Sequence, residues 1–212
     1  MEPQQWFWVG ISAFLAATII PYLILKYIYH KLLANVLNYL FYILLFWMWI
    51  FAIYETPGIR RRRLEKAGVK ERQVIVDLGC GPGRFVFLAS KIIGPEGKVY
   101  ALDIHPLNIA IVTVRKAIGG YKNINVMYAD CHATQLPDKA IDLVFINDAF
   151  HEFADKDTLK EVARILKTDG ILAIDEHEMR EAKFMRIIES ANLFTLIEKE
   201  KKLYKFKLLI GD

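Results

Sequence analysis

From Trp6 to Tyr54 the chain carries almost no charge, whereas nearly all of its Lys, Arg, Asp and Glu follow Glu55. So sharp a segregation excludes a single evenly mixed globule, whose elements would each need a polar face toward water. The apolar part reads as two spans. The first runs from about Trp6 to Tyr29, with Lys26 as its only charged residue. A helix of that length rises about 36 Å, enough to cross a hydrocarbon core of about 30 Å with some tilt. Pro21 falls inside it, which a membrane helix tolerates, and Lys26 lies near one end, where it can snorkel. The second span, about Val36 to Tyr54, has no charge. Trp6, Trp8, Tyr27, Tyr29, Trp47, Trp49 and Tyr54 crowd the ends of the two, as interfacial anchors do. The sequence therefore predicts two transmembrane helices forming an anchoring hairpin over residues 1–54, with the lipid bilayer as partner; a single span plus an interfacial helix is the alternative. The start has no basic region before a short apolar one and a cleavage site, so a cleaved signal peptide is not expected. Arg60 to Arg63 and Lys66 outweigh Lys26 and Lys31, which places the chain beyond the second span on the cytoplasmic side.

Residues 55–70 read as a basic linker broken at Pro57-Gly58, its arginines suited to anionic headgroups. A net charge of +4, with no basic stripe interleaved with aromatics, gives no case for nucleic acid. The two cysteines, Cys80 and Cys131, have neither metal-ligand spacing nor a disulfide pattern.

Residues 71–212 are of another kind. Short β-rich apolar runs alternate with helical patterns, the signature of a parallel sheet with crossover helices. Strands are expected at Val74 to Val76, Val99 to Leu102, Ile124 to Tyr128, Ile141 to Ile146 and Ile171 to Ile174. The fourth is almost continuously apolar, as a central buried strand should be. Helices are expected at Phe85 to Ile93, from Pro106 onward, at Thr158 to Leu166 with Asp169-Gly170 ending it, and at Arg180 to Ala191. Two last strands, Phe194 to Glu198 and Leu203 to Leu209, alternate more and suggest an antiparallel edge hairpin.

The stretch Asp77-Leu78-Gly79-Cys80-Gly81-Pro82-Gly83 lies at the carboxyl end of the first strand, where open α/β sheets bind ligands. The dinucleotide fingerprint Gly-x-Gly-x-x-Gly fails in both registers, with Arg84 or Val86 where the third glycine belongs. An acid about 20 residues on, Asp103, is placed to accept bonds from ribose hydroxyls.

The spacing Asp-x-Gly-x-Gly-x-Gly resembles the first motif of class I S-adenosylmethionine-dependent methyltransferases. Ala129-Asp130-Cys131, Ile141 to Asp148 and Arg164 to Ile171 resemble later motifs of that family, in the same order. The resemblance implies an α/β fold: a seven-stranded, mostly parallel Rossmann-like sheet with helices on both faces, here preceded by the two transmembrane helices. It implies S-adenosylmethionine as cofactor and S-adenosylhomocysteine as product. It also implies a cofactor site of Asp77, Gly79, Cys80, Gly81, Gly83, Asp103, Ile104, Asp130, Cys131 and Asn147. Asp77 would hold the methionyl amino group and Asp130 the adenine amino group.

Methyl transfer from a sulfonium is an in-line displacement, so the protein must mainly align the partners and dry the site. An acceptor that loses a proton also needs a base. His151 is the first candidate for that base and Asp148 the second. Asp148, Asp175, Glu176 and His177 match the metal-binding carboxylates of catechol-type relatives only loosely, so no metal is expected. The catalytic region has no long insertion to enclose an acceptor. Its stretch from the fourth to the fifth strand resembles quinone-biosynthesis and phospholipid methyltransferases. The resemblance and the spans together point to a lipid-soluble acceptor (a phospholipid headgroup, a prenylated quinone precursor or an isoprenoid). A side chain of a membrane-associated protein is the alternative. The cofactor's methyl group is expected to face an opening bordered by Phe150, His151 and the segment from Pro57 to Arg63.

Overall fold

The computed structural model describes residues 15, 17–36 and 57–209. The chain divides into two compact units, Met1–Tyr54 and Glu55–Asp212. In the first, residues 17–36 form one helix, α1, which continues through Pro21. Its large apolar side chains are exposed, Leu23, Leu25 and Ile28 each by more than half. Among the described residues no helix is long and apolar enough to cross a membrane. The first expected span lies partly outside the described residues, and the second lies outside them apart from Val36.

The second unit is a seven-stranded sheet in the order β3-β2-β1-β4-β5-β7-β6. The strands are β1 (Val74–Leu78), β2 (Lys98–Asp103), β3 (Ile124–Tyr128), β4 (Ile141–Asn147), β5 (Leu166–Asp175), β6 (Phe194–Glu200) and β7 (Leu203–Leu208). β1 to β5 pair in parallel, and β7 runs antiparallel between β5 and β6. The expected hairpin is there, with its second strand turned inward against β5. β4 sits at the centre, which accounts for its apolar run.

Alternation along the strands feeds two layers. On one face Ile75, Val99, Leu143 and Phe145 meet α2 (Pro57–Ala67), α3 (Val86–Ile93) and α4 (Pro106–Gly119). On the other, Val76, Val144, Ile146 and Leu172 meet α5 (Lys156–Ile165) and α6 (Glu181–Ala191). Helix ends follow local chemistry. Asp155 caps α5 by accepting from the Thr158 N–H at 2.8 Å, and α4 stops at Gly120, whose φ is +65°.

Two expectations change. Residues 57–67 are a helix, not a free linker, because Leu64 and Ala67 on it are fully buried and fix it to the sheet. Asp169-Gly170 does not end α5. That helix stops at Ile165, β5 begins at Leu166, and residues 167–170 form a bulge where pairing jumps from Ile141–Leu166 to Leu143–Ile171. Asp142, opposite the bulge, accepts from the Val74 N–H at 2.7 Å and pairs with Lys167, so the extra residues are tied down by a carboxylate.

Candidate active site

The loop from β1 to α3 turns on glycines. Gly79 has φ +73°, and a Cβ there would come within 2.7 Å of the Ala149 Cβ. Gly83 has φ +81°, with the Phe87 ring at 2.8 Å and Val112 at 3.1 Å from the position a Cβ would take. The left-handed backbone and the close neighbours both exclude side chains. Gly81 differs: nothing lies within 4 Å of its Cβ position, so the loop's crest is open for a ligand to approach the backbone. Gly79 and Cys80 both donate to the Leu102 carbonyl at 2.9 Å, and Gly81 donates to Asp103 at 2.8 Å. Arg115 of α4 takes the Pro82 carbonyl and Arg60 of α2 takes that of Arg84, so helices on both sides hold the loop. The Cys80 thiol is driven up by burial and by the nearby Asp77 and Asp103, which keeps it a protonated packing group.

Asp77 is the unusual acid. It is 4% exposed, its Oδ2 has no hydrogen-bond partner, and burial, helped by the charge of Asp103, pushes its carboxyl up to about 7. The Asn147 Oδ1, at the end of neighbouring β4, is likewise buried without a partner. Two orphaned acceptors at adjacent strand ends are costly unless something donates to them. An ammonium group, with three donors and a positive charge, suits that pair.

The other acids follow the same crevice. Asp103 ends β2 and accepts from the His105 N–H at 2.7 Å and the Asn108 amide at 3.2 Å, besides Gly81. Those bonds aim its carboxylate while leaving lone pairs for hydroxyl donors. Ile104 beside it is 63% exposed, an apolar surface without a protein partner over it. After β3, Asp130 bonds the His132 backbone N–H and ring, and the far side of that ring meets Asp155 at 2.7 Å. Bonds from His132 hold Asp130 below the usual carboxylate range, and Asp155 and Asp130 raise the imidazole in return. Cys131 is half-buried against Thr158.

The loops after β4 and β5 brace each other. The Asp148 N–H donates to the Asp175 carbonyl at 2.8 Å, and the Asp148 carboxylate accepts from the His177 N–H at 3.1 Å. Asp148 takes a left-handed φ of +45° to do so. His151 stands in a single turn of 3₁₀-helix, Phe150–Glu152, and Glu176 accepts both its backbone N–H at 3.0 Å and its ring Nδ1 at 3.2 Å. Asp175 pairs with Arg63 of α2 at 3.0 Å and with the His177 ring at 2.8 Å. Burial raises the Asp175 carboxyl, though Arg63 and His177 pull against it.

The crevice at the carboxyl ends of β1, β2, β3 and β4 thus gathers Asp77, the glycines, Asp103, Ile104, Asp130, Cys131 and Asn147, with His151 and Asp148 on the adjoining loop. Phe150 does not border the opening; it is fully buried and packs edge-on to Phe153 and Phe184. Arg60 and Arg63 stand on α2, where they bond the Arg84 carbonyl and the Asp175 carboxylate. Sequence reasoning weighed Glu176 only as a metal ligand. Its role as partner of His151 depends on a contact across 25 residues that no local pattern signals. Asp148, Asp175 and Glu176 bond groups of these two loops and of α2. Among the described residues, the three possible metal-donor groups that come within 4.8 Å of one another are Asp130, Cys131 and His132.

A family profile described as a methyltransferase domain matches residues 70–209. The chain belongs to the S-adenosylmethionine-dependent methyltransferases. A solved S-adenosylmethionine-dependent methyltransferase from Aquifex aeolicus is 26% identical, with a TM-score of 0.61 over 71% of this chain and 89% of that one. A ubiquinone/menaquinone biosynthesis C-methyltransferase (UbiE) of Pasteurella multocida is 29% identical over 119 residues, covering 55% of this chain and 44% of that protein. A demethylmenaquinone methyltransferase of Lactobacillus johnsonii is 32% identical over 123 residues, covering 56% and 50%. The chain thus spans about half the length of these two curated relatives. S-adenosylmethionine is the methyl donor, and the residues of this methyltransferase suit it. The buried oxygens of Asp77 and Asn147 are acceptors that suit an ammonium, Gly81 leaves room beside the backbone, and the Asp103 carboxylate suits hydroxyl donors.

Proposed function

We propose that this methyltransferase acts on a lipid-soluble acceptor at the face of a membrane: a phospholipid headgroup, a prenylated quinone precursor or an isoprenoid. The observation that carries the reading is α1, whose apolar side chains stand exposed along its length instead of folding into a core. A contiguous apolar surface of that kind needs cover, and a bilayer supplies it. Names borne by the curated relatives support the acceptor class, since one is a ubiquinone/menaquinone biosynthesis C-methyltransferase and another a demethylmenaquinone methyltransferase. On this reading residues 1–54 hold the enzyme in the membrane and the second unit works on the cytoplasmic side, next to the arginines at 60–63. The cofactor supplies a methyl group on an already cationic sulfur. The chain's own share is to anchor the donor at Asp77, Asp103 and Asp130, and to take a proton from the acceptor at His151.

The full chain in detergent, incubated with radiolabelled cofactor and a total membrane extract, tests the acceptor. Label extracted with lipid supports the proposal, and label that stays with protein overturns it. Fractionation tests the location: the enzyme should resist an alkaline wash of membranes, and release into the supernatant refutes integral insertion.

A further inference from the structure

Glu176 is a carboxylate in a place that water does not reach. It is 1% exposed, in the loop that follows β5, yet both its oxygens are used. Oε1 accepts the backbone N–H groups of Glu178 at 2.8 Å and Met179 at 3.0 Å. Oε2 accepts the backbone N–H of His151 at 3.0 Å and the Nδ1 of its ring at 3.2 Å. Burial alone would raise this carboxyl, but those N–H groups and the His151 ring win, and it is held below its usual range. An ionised carboxylate only accepts, so the shared proton sits on Nδ1 and the tautomer of His151 is set. In the neutral ring the other nitrogen, Nε2, then carries the lone pair. Its nearest partner is Glu178 at 3.4 Å, a 69% exposed side chain at long range. The turn that holds His151 is seated on the donor loop, because its neighbours Ala149 and Phe153 are the atoms packed against Gly79.

We infer that Glu176 is a positioning residue for methyl transfer: it fixes the ring of His151 so that Nε2 is the atom that takes the acceptor's proton. The inference rests on His151 serving as the base in the proposed function. As the methyl carbon leaves sulfur for the acceptor atom, the acceptor's O–H, N–H or C–H bond breaks and its proton goes to Nε2. The sulfonium becomes a neutral thioether, and the imidazolium that forms is stabilised by the buried negative charge at Nδ1. A simple loop brace would need only the backbone bonds of Glu176; the ring bond is the additional feature. Other charged groups nearby are already directed elsewhere. Asp148 bonds His177, and Asp175 bonds Arg63 and His177, which leaves Glu176 and Glu178 as the carboxylates on the ring.

The test uses the full chain in detergent, total membrane extract and radiolabelled cofactor, with all transferred label counted whether it enters lipid or protein. Where the label goes bears on the acceptor class; how the variants change its rate bears on Glu176. Glu176→Gln should cut turnover at least tenfold, leave S-adenosylhomocysteine affinity within about twofold, and move the acid limb of the rate profile to lower pH. His151→Gln keeps a donor toward Glu176 but no base; it should bind S-adenosylhomocysteine normally and turn over at least tenfold more slowly. An acid limb unmoved in Glu176→Gln, or full turnover by His151→Gln, overturns the inference. Should Glu176→Gln fail to fold, nitrogen NMR of the wild-type histidines decides with His151→Gln. A His151 ring protonated at Nε2 alone refutes the assignment.

Discussion

Asp77→Asn should make the protein without cofactor more stable and the cofactor bind less well, and both effects should depend on pH. The wild-type carboxyl moves from 3.8 to about 7 on folding, which corresponds to about 4 kcal/mol against the folded state once the group is ionised. The sign is set by proton uptake. Between pH 4 and 7 the folded protein holds a proton that the unfolded chain has lost, so stability falls across that window and levels off above it. An amide of the same shape carries no such penalty. Melting of the two proteins should therefore coincide near pH 4, and at pH 8 the variant should melt higher. The gain is at most about 4 kcal/mol, at about 2–4 °C per kcal/mol for a chain of this size. Binding reverses the order. A bound ammonium pairs with ionised Asp77, so S-adenosylhomocysteine affinity in the wild type should fall as pH drops below 7, while the variant binds at least tenfold more weakly and with little pH dependence. Calorimetry at pH 6 and 8 reads this directly. A variant less stable than wild type at pH 8, or wild-type affinity that is flat from pH 6 to 8, would refute the argument from the orphaned oxygen.

Three other outcomes are expected. Gly83→Ala, which puts a methyl group 2.8 Å from the Phe87 ring on a left-handed backbone, should cost about 1–3 kcal/mol in a denaturant melt and weaken cofactor binding. Asp103→Ala should weaken S-adenosylhomocysteine by about 1.5–3 kcal/mol in calorimetry while the fold, judged by circular dichroism, persists. Glu161→Ala strips the buried acceptor from Arg164 and Thr134 and should destabilise by about 1–3 kcal/mol at neutral pH. Because Arg164 holds the Glu161 carboxyl down at about 2, that stability is present above about pH 4.5 and is lost toward pH 2, so the wild type and the variant should converge in acid.

Local chemistry made much of this protein readable in advance. Strands such as Ile124–Tyr128 coincide with their expected bounds, and the glycine spacing marked the tight turn after β1 because its left-handed backbone admits few other residues. What sequence did not reveal depends on partners far along the chain. Residues 57–67 read as a linker because four consecutive arginines mask Leu64 and Ala67, the buried side chains that seat them. Asp169-Gly170 read as a helix stop because the pair favours turns, but Asp142 across the sheet makes a bulge there instead. Phe150 looked like a wall of the opening from its place after β4, while its ring instead completes an aromatic cluster with Phe184.

The place of α2 matters to anyone who cuts this gene. The stretch that matches the family profile begins at residue 70, which invites a boundary there. Yet Leu64, upstream of it, is fully buried, and losing such a side chain alone costs about 2–5 kcal/mol against the roughly 5–15 kcal/mol that holds a domain together. Arg60 and Arg63 would go with it, and with them the grip on the donor loop and on Asp175. The stretch that the family profile matches and the unit that folds are therefore different lengths in this protein, and a fragment carrying the second unit should start no later than Pro57.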